Sequence, residues 1–164
     1  MDINAAFEIL INFEGTSFTD YKNDNGGETR YGVSKASYPN LDIANLTEDK
    51  AKAIYGTDYW IEGNCAKVKV DLQYPLFDFA VNAGVVTAIK LLQKCCGITE
   101  DGKFGSLTLM QSDNISVEKF LLYRQWFYND IAAKNPSQIE FLDGWTNRVK
   151  KIYEMYVATW LIVI

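Results

Sequence analysis

Apolar residues recur at helical spacing along most of this chain, and this periodicity constrains its fold more than any other feature. In the first segment the periodic positions are Ile3, Phe7, Leu10 and Glu14. Intervals of three and four residues place them on one face of a helix over about residues 2–14. Similar stripes, with polar capping residues and glycines at their ends, predict further helices at about 47–59, 71–82, 85–96, 116–134 and 142–156.

A long polar stretch, residues 15–45, separates the first two predicted helices. It is rich in Asp, Asn and Gly, which favour turns, and it has room for a short hairpin. Loops of this length in compact domains are usually functional or disordered. The sequence therefore predicts a mainly α fold with at most a small β contribution, within residues 18–33, and one long loop near its start.

Composition excludes several classes of function. The 164 residues are 48% hydrophobic, which suits one globular unit with a real core. A net charge of −5 argues against nucleic acid as the main partner, because phosphate binding needs a basic face. The only candidates for such a face are Lys90, Lys94, Arg148, Lys150 and Lys151.

The chain contains no histidine, which excludes Ser-His-Asp and Cys-His catalysis and histidine-ligated zinc. Acid–base chemistry would therefore fall mainly to the 21 carboxylates. The three cysteines, Cys65, Cys95 and Cys96, are odd in number and two are adjacent, so we expect buried thiols rather than a disulfide framework.

The two ends of the chain predict no export signal and no stable membrane span. The first residues carry acids where a secretory signal has a basic segment. The apolar end, YVATWLIVI, is about half as long as a membrane-crossing helix. We expect synthesis in the cytoplasm, with any work outside the inner membrane depending on another export route.

Glu14 is the strongest candidate for acid catalysis. A carboxylate at the end of a helix, on its apolar face, is partly desolvated, and both burial and the helix dipole favour its protonated form there. The alternative from position alone is a glutamate that simply extends into solvent where Gly15 turns the chain.

The loop after Glu14 carries a recognisable motif. Its matching pieces are Glu14-Gly15, Phe18, Asp20, Asp24, Gly26-Gly27, Thr29, Gly32 and Val33. In this combination the sequence resembles the glycoside hydrolase family of bacterial and phage N-acetylmuramidases once called secretion activators. It departs from the family pattern at Thr16-Ser17, in place of a glycine, and at Thr19, in place of an asparagine.

The resemblance extends over nearly the whole chain. Residues 77–84, the turn at Asp101-Gly102 with Gly105, and residues 144–149 are similar to the peptidoglycan-binding half of the same family. We therefore divide the chain into a catalytic half, residues 1–70, and a helical peptidoglycan-binding half, residues 71–164, packed as one unit. The turn at Asp101-Gly102 is also explained by a purely structural role.

The resemblance implies a lysozyme-like fold that hydrolyses the β-1,4 bond between N-acetylmuramic acid and N-acetylglucosamine, with Glu14 as proton donor and no cofactor. Glycoside hydrolysis usually needs a second carboxylate. Asp24 and Asp20 are the candidates, and Asp24 is favoured because it lies beside the Gly-Gly turn. Thr29 resembles the water-positioning threonine of another phage lysozyme family. Structural roles, an Asx turn for Asp24 and a hairpin hydroxyl for Thr29, remain open.

Substrate contacts are predicted at Asp20, Tyr31, Trp60 and Asn82. Aromatic faces stack on sugar rings and an amide can hydrogen-bond an N-acetyl group, although core packing and a helix end explain these residues equally well. The loop lacks the ligand spacing of a calcium-binding EF-hand, because Lys22 occupies a ligand position, so no metal site is expected.

Three functional hypotheses follow. The first is a muramidase, acting as a phage or prophage endolysin or in wall remodelling, with a holin or a secretion system for export. The second is a non-catalytic peptidoglycan-binding module of the same shape. The third is a partner in assembly of a secretion apparatus.

Overall fold

The computed structural model describes residues 1–19 and 27–157, and within them the fold is mainly α, as predicted. The seven α-helices of the described chain are α1 (Ile3–Glu14), α2 (Glu48–Tyr55), α3 (Val70–Ala83), α4 (Val85–Cys96), α5 (Ser106–Ser112), α6 (Val117–Lys134) and α7 (Ile139–Val157). One hairpin joins β1 (Thr29–Arg30) to β2 (Val33–Ser34). A π-helical turn (Gly56–Ile61) and two 3₁₀ turns (Cys65–Lys67 and Pro136–Gln138) complete the described elements.

Side-chain caps fix the starts of three helices. Asp2, Thr47 and Ser116 accept hydrogen bonds from the backbone N–H three residues later, at the starts of α1, α2 and α6. Such caps satisfy N–H groups that have no partner inside the helix. Thr47 and Ser116 are the residues at which the sequence predicts α2 and α6 to begin.

Helix α3 is the centre of the molecule. Residues 72–80 are all buried, polar Gln73 and Asp78 among them, because the helix is covered on every side. It packs against α1, α4, α6 and the π-helical turn. A single hydrophobic cluster runs from Phe7 in α1 to Ile152 in α7, so both halves of the chain contribute to one core.

The hairpin is short and tightly turned. Its strands are antiparallel, with Thr29 opposite Ser34 and Arg30 opposite Val33. The two loop residues, Tyr31 and Gly32, have φ angles of 53° and 74°. Positive φ at both loop positions is what a type I′ turn requires, and glycine adopts it without strain.

Two elements differ from the predicted helices. The helix predicted over 47–59 ends at Tyr55 and continues as the wider π-helical turn, in which Asp58 accepts a hydrogen bond from Tyr38 Oη at 2.7 Å. Helix α5 was not predicted. It has only seven residues and no side-chain cap, and it packs against α4.

A buried glutamine forms hydrogen bonds that stabilise the turn between α4 and α5. Gln93 Nε2 donates to Asp101 Oδ1 at 2.7 Å and to the carbonyl of Lys103 at 3.0 Å, while Gln93 Oε1 accepts from the N–H of Gly102 at 2.9 Å. These bonds give Asp101-Gly102 the structural role that was one of its two interpretations.

The cysteines are free thiols, with Cys65 and Cys95 buried and Cys96 half-buried. Burial raises the pKa of Cys65 and Cys95 to about 12, so both stay protonated at neutral pH. None of the described helices is both long enough and apolar enough to cross a membrane.

Candidate active site

Glu14 is the last residue of α1, and the chain turns directly after it. Gly15 has a φ of 79°, and its N–H donates to the carbonyl of Ile11 at 2.8 Å, which closes the helix. The Glu14 side chain is 24% exposed, so it is partly desolvated but still accessible. This is the position that the helical periodicity predicted.

The hairpin turn packs directly on Glu14. A Cβ atom at Gly32 would lie 3.1 Å from both Cβ and Cγ of Glu14 and 2.6 Å from the hydroxyl of Tyr55. Any side chain at position 32 would therefore displace the glutamate or the tyrosine. Both this close approach and the positive φ explain why the motif has a glycine at position 32.

Tyr55 links α2 to the hairpin behind the glutamate. Its hydroxyl donates to the carbonyl of Tyr31 at 3.1 Å. Burial first, and then the negative charge of Glu14, raise the pKa of Tyr55 well above its usual value. Tyr55 therefore remains a neutral donor that holds the turn.

Arg148 of α7 forms an ion pair with Glu14. Its Nη1 lies 2.7 Å from Glu14 Oε1, and its guanidinium carbon lies 5.0 Å from the ring centroid of Phe13. The contact uses Oε1 and leaves Oε2 without a hydrogen bond or ion pair to any described residue. Arg148 thereby fixes the direction of the carboxyl group.

The other edge of Arg148 is bound to Asp78, which is fully buried in α3. Arg148 Nη2 donates to Asp78 Oδ1 at 2.7 Å, and Nε contacts both carboxylate oxygens at 3.0 and 3.1 Å. Arg124 Nη1 lies 2.7 Å from Asp78 Oδ2, and Tyr74 donates to Oδ1 at 3.1 Å. The result is a chain of alternating charges, Glu14–Arg148–Asp78–Arg124.

Asp78 is ionised within this network. Burial alone would raise the pKa of its carboxyl group, but the guanidiniums of Arg124 and Arg148 outweigh burial and hold the pKa below its usual range. In turn, burial disfavours the charge on Arg148, while Asp78 and Glu14 together keep the pKa of Arg148 above its ordinary value. The buried carboxylate of Asp78 therefore fixes the orientation of the Arg148 guanidinium.

Two predicted site residues, Asp20 and Asp24, lie outside the described residues, and their roles stay predictions. Thr29 lies in β1, where its hydroxyl donates to the carbonyl of Gly27 at 3.2 Å and its backbone pairs with Thr19. The structure thus places Thr29 in the hairpin that packs on Glu14. Its predicted role towards water stays untested.

Tyr31 and Asn82 both reach the surface. Tyr31 is half-buried at the tip of the hairpin, with the Arg30 guanidinium carbon 5.5 Å from its ring centroid. Asn82 is exposed at the end of α3, and its Nδ2 donates to the carbonyl of Asp78 at 3.1 Å. Both remain predicted substrate contacts.

Trp60 is not placed to stack on a sugar. Only 6% of the surface of Trp60 is exposed, and its ring packs edge-on against that of Phe77, with the ring centroids 5.5 Å apart. The π-helical turn directs it into the core, which favours the packing interpretation over the predicted substrate contact.

A crevice of about 110 Å³ lies beside the hairpin, between Gly32, Tyr38, Tyr55 and Tyr59. Ligand sites are usually at least about 300 Å³, so the crevice alone is too small for a disaccharide.

Sequence reasoning missed Asp78, Tyr55 and the pairing of Arg148. Asp78 stands inside a strongly apolar segment, and a buried charge there must be paired. That signal could have identified Asp78 as important. Nothing in the sequence indicates which of the distant arginines would reach it.

Two regions of the chain match known family models. Residues 7–84 match the model described as Glycosyl hydrolase 108. The N-terminal half of the chain is therefore similar to glycosyl hydrolase family 108. Residues 87–150 match the family described as Predicted Peptidoglycan domain. The chain thus joins a glycoside hydrolase domain to a predicted peptidoglycan domain, and the family resemblance predicted from the sequence is confirmed.

The fold is shared with a solved structure. The chain is similar to a structure titled "Structure of Brucella abortus SagA", with 24% sequence identity and a TM-score of 0.78. The similarity covers 95% of this chain and 94% of that chain. None of the curated proteins compared with the chain matches it.

Proposed function

We propose that this protein is an endo-acting muramidase that hydrolyses the β-1,4 bond between N-acetylmuramic acid and N-acetylglucosamine. Glu14 is the proton donor to the leaving oxygen. The observation that carries this proposal is the placement of Glu14: a partly buried carboxyl group at a helix end, oriented by Arg148 and packed under the hairpin. The match of residues 7–84 to a glycoside hydrolase family supports it.

Arg148 gives the carboxyl group two unequal oxygens. Oε1 is held by the guanidinium, and Oε2 is available to the glycosidic oxygen. Asp78 retains Arg148 through its other edge.

Asp24 is proposed as the second carboxylate, acting as a base towards water on the opposite face of the sugar, with Thr29 helping to position that water. This arrangement needs a separation of roughly 6.5–9.5 Å between the two carboxyl groups and gives an inverted product. We expect Asp24→Asn to lose far more activity than Asp20→Asn, with binding of undigested wall retained.

The product anomer tests this assignment. NMR spectra recorded in the first minutes of digestion should show inversion at the new reducing end. A retained anomer would indicate a nucleophile about 5 Å from Glu14 instead. An inactive Asp20→Asn variant beside an active Asp24→Asn variant would contradict the choice of Asp24 but not the role of Glu14.

Bond specificity is tested by the identity of the new reducing end. Purified peptidoglycan is digested, reduced with borohydride and analysed by mass spectrometry. Reduced N-acetylmuramic acid at the new ends is the expected result, whereas reduced N-acetylglucosamine would contradict muramidase specificity. Wall treated with heat-inactivated protein provides the background.

A peptidoglycan-binding module without catalysis is the second candidate. The match of residues 87–150 to a predicted peptidoglycan domain supports it. Such a module would bind purified wall and release no new reducing ends. The cell wall is the proposed place of action, either for an endolysin delivered by a holin or for a remodelling enzyme delivered by a secretion system.

A further inference from the structure

A second concave surface lies away from the Glu14 network, between α4 and α6. This α4–α6 groove has a volume of about 430 Å³ and is formed by facing stripes of the two helices, with Leu91 and Phe127 among its lining residues. It shares no residue with the Glu14–Arg148–Asp78–Arg124 chain. A volume of 300–1,000 Å³ is usual for ligand sites.

One wall of the groove is aromatic and open to solvent. Trp126 is 53% exposed, and its ring centroid lies 5.0 Å from that of Tyr123, one helical turn earlier. Tryptophan is highly buried on average, so half of its surface exposed beside a groove indicates a binding surface rather than core packing. Its flat apolar face suits a sugar ring.

The opposite wall carries positive charge. Lys90 and Lys94 lie one turn apart on the exposed side of α4, and neither forms an ion pair with a described residue. Lys134 is neutralised by Asp130 at 2.7 Å. With Glu100 as the remaining carboxylate, the lining has a surplus of cations in a chain whose net charge is −5.

We propose that the α4–α6 groove binds the peptide-bearing saccharide of peptidoglycan, with a sugar ring on Trp126 and a free carboxylate of the stem peptide between Lys90 and Lys94. An aromatic platform alone would accept any glycan, whereas the paired lysines select an anionic substituent. The groove lies within residues 87–150, the part that matches the predicted peptidoglycan domain. The proposal rests on the proposed function only in taking peptidoglycan as the ligand.

Binding is measured by isothermal titration calorimetry in a Glu14→Gln background, which prevents cleavage. The probes are a soluble disaccharide-tetrapeptide and chitotetraose, which has sugar rings but no carboxylate. Trp126→Ala should weaken disaccharide-tetrapeptide binding by roughly tenfold, which corresponds to about 1.4 kcal/mol. The double variant Lys90→Gln/Lys94→Gln should weaken it similarly and leave the weaker binding of chitotetraose unchanged.

Matched controls are Tyr153→Ala, an exposed aromatic on α7, and Lys67→Gln, an exposed lysine outside the groove. Both should bind like the parent. Unchanged affinity in Trp126→Ala with a native circular dichroism spectrum would overturn the proposal, as would chitotetraose binding as tightly as the disaccharide-tetrapeptide. Cleavage by the wild type is assayed separately. A protein that binds the wall but cleaves nothing would refute the muramidase proposal and leave the groove proposal unaffected.

Discussion

Asp78 shows how much of the site depends on one buried residue. Its carboxylate is fully buried, and it is bound by Arg124, Arg148 and Tyr74. Removing one partner of a buried ion pair leaves the others charged and unpaired, which costs more than the pair itself contributes. The sequence showed the lone charge within an apolar helix but not its partners, because those contacts form only by tertiary packing.

We expect Asp78→Asn to lower the free energy of unfolding at pH 7 by about 3–5 kcal/mol, since the buried guanidinium of Arg124 loses its counterion and Arg148 keeps only Glu14. Urea unfolding measures this. Asp130→Asn, which removes an exposed pair, is the control and should cost at most about 1 kcal/mol.

The difference in the free energy of unfolding between wild type and Asp78→Asn also depends on pH. The folded pKa of Asp78 is depressed, so its contribution is complete above the unfolded value of about 3.9 and is lost as pH falls through the folded pKa. The gap between wild type and Asp78→Asn should therefore narrow below about pH 4. A gap that stays constant down to the acid unfolding limit would contradict the ionised state of Asp78.

At the scale of elements, the capped or long amphipathic helices were predictable and the short helix α5 was not. α1, α4 and α6 carry apolar stripes with caps or C-terminal glycines, and their predicted ends agree with the structure. α5 has no such local signal and depends on α4 and the turn before it. Gln93, in α4, connects these parts. It accepts a hydrogen bond from the N–H of Gly102 in the turn and donates one to the hydroxyl of Thr108 in α5.

Gln93→Ala should loosen the turn and α5 without unfolding the rest of the chain. Loss of hydrogen bonds to buried polar groups costs about 1–3 kcal/mol. Hydrogen exchange followed by mass spectrometry should show faster exchange over residues 99–112 and unchanged exchange in α3. Gln125→Ala, a more exposed glutamine on α6, is the control. Faster exchange spread evenly over the chain would contradict a local role for Gln93.

At the scale of the whole molecule, the two matched regions complete one site together. Glu14 and Asp78 lie within residues 7–84, whereas Arg124 and Arg148 lie within residues 87–150. Arg148 meets Glu14 across 134 positions of sequence. The sequence indicated Glu14 through helical spacing and motif, but this long-range pairing could be found only from the fold.

The most direct test of the account is turnover of purified peptidoglycan by Glu14→Gln. Glu8→Gln, an exposed glutamate on the same helix, is the matched control. The amide is isosteric but cannot donate the proton, so turnover should fall by at least about 100-fold with the melting temperature largely preserved. Glu8→Gln should keep wild-type activity. Lytic activity equal to wild type in a folded Glu14→Gln protein would contradict the central claim.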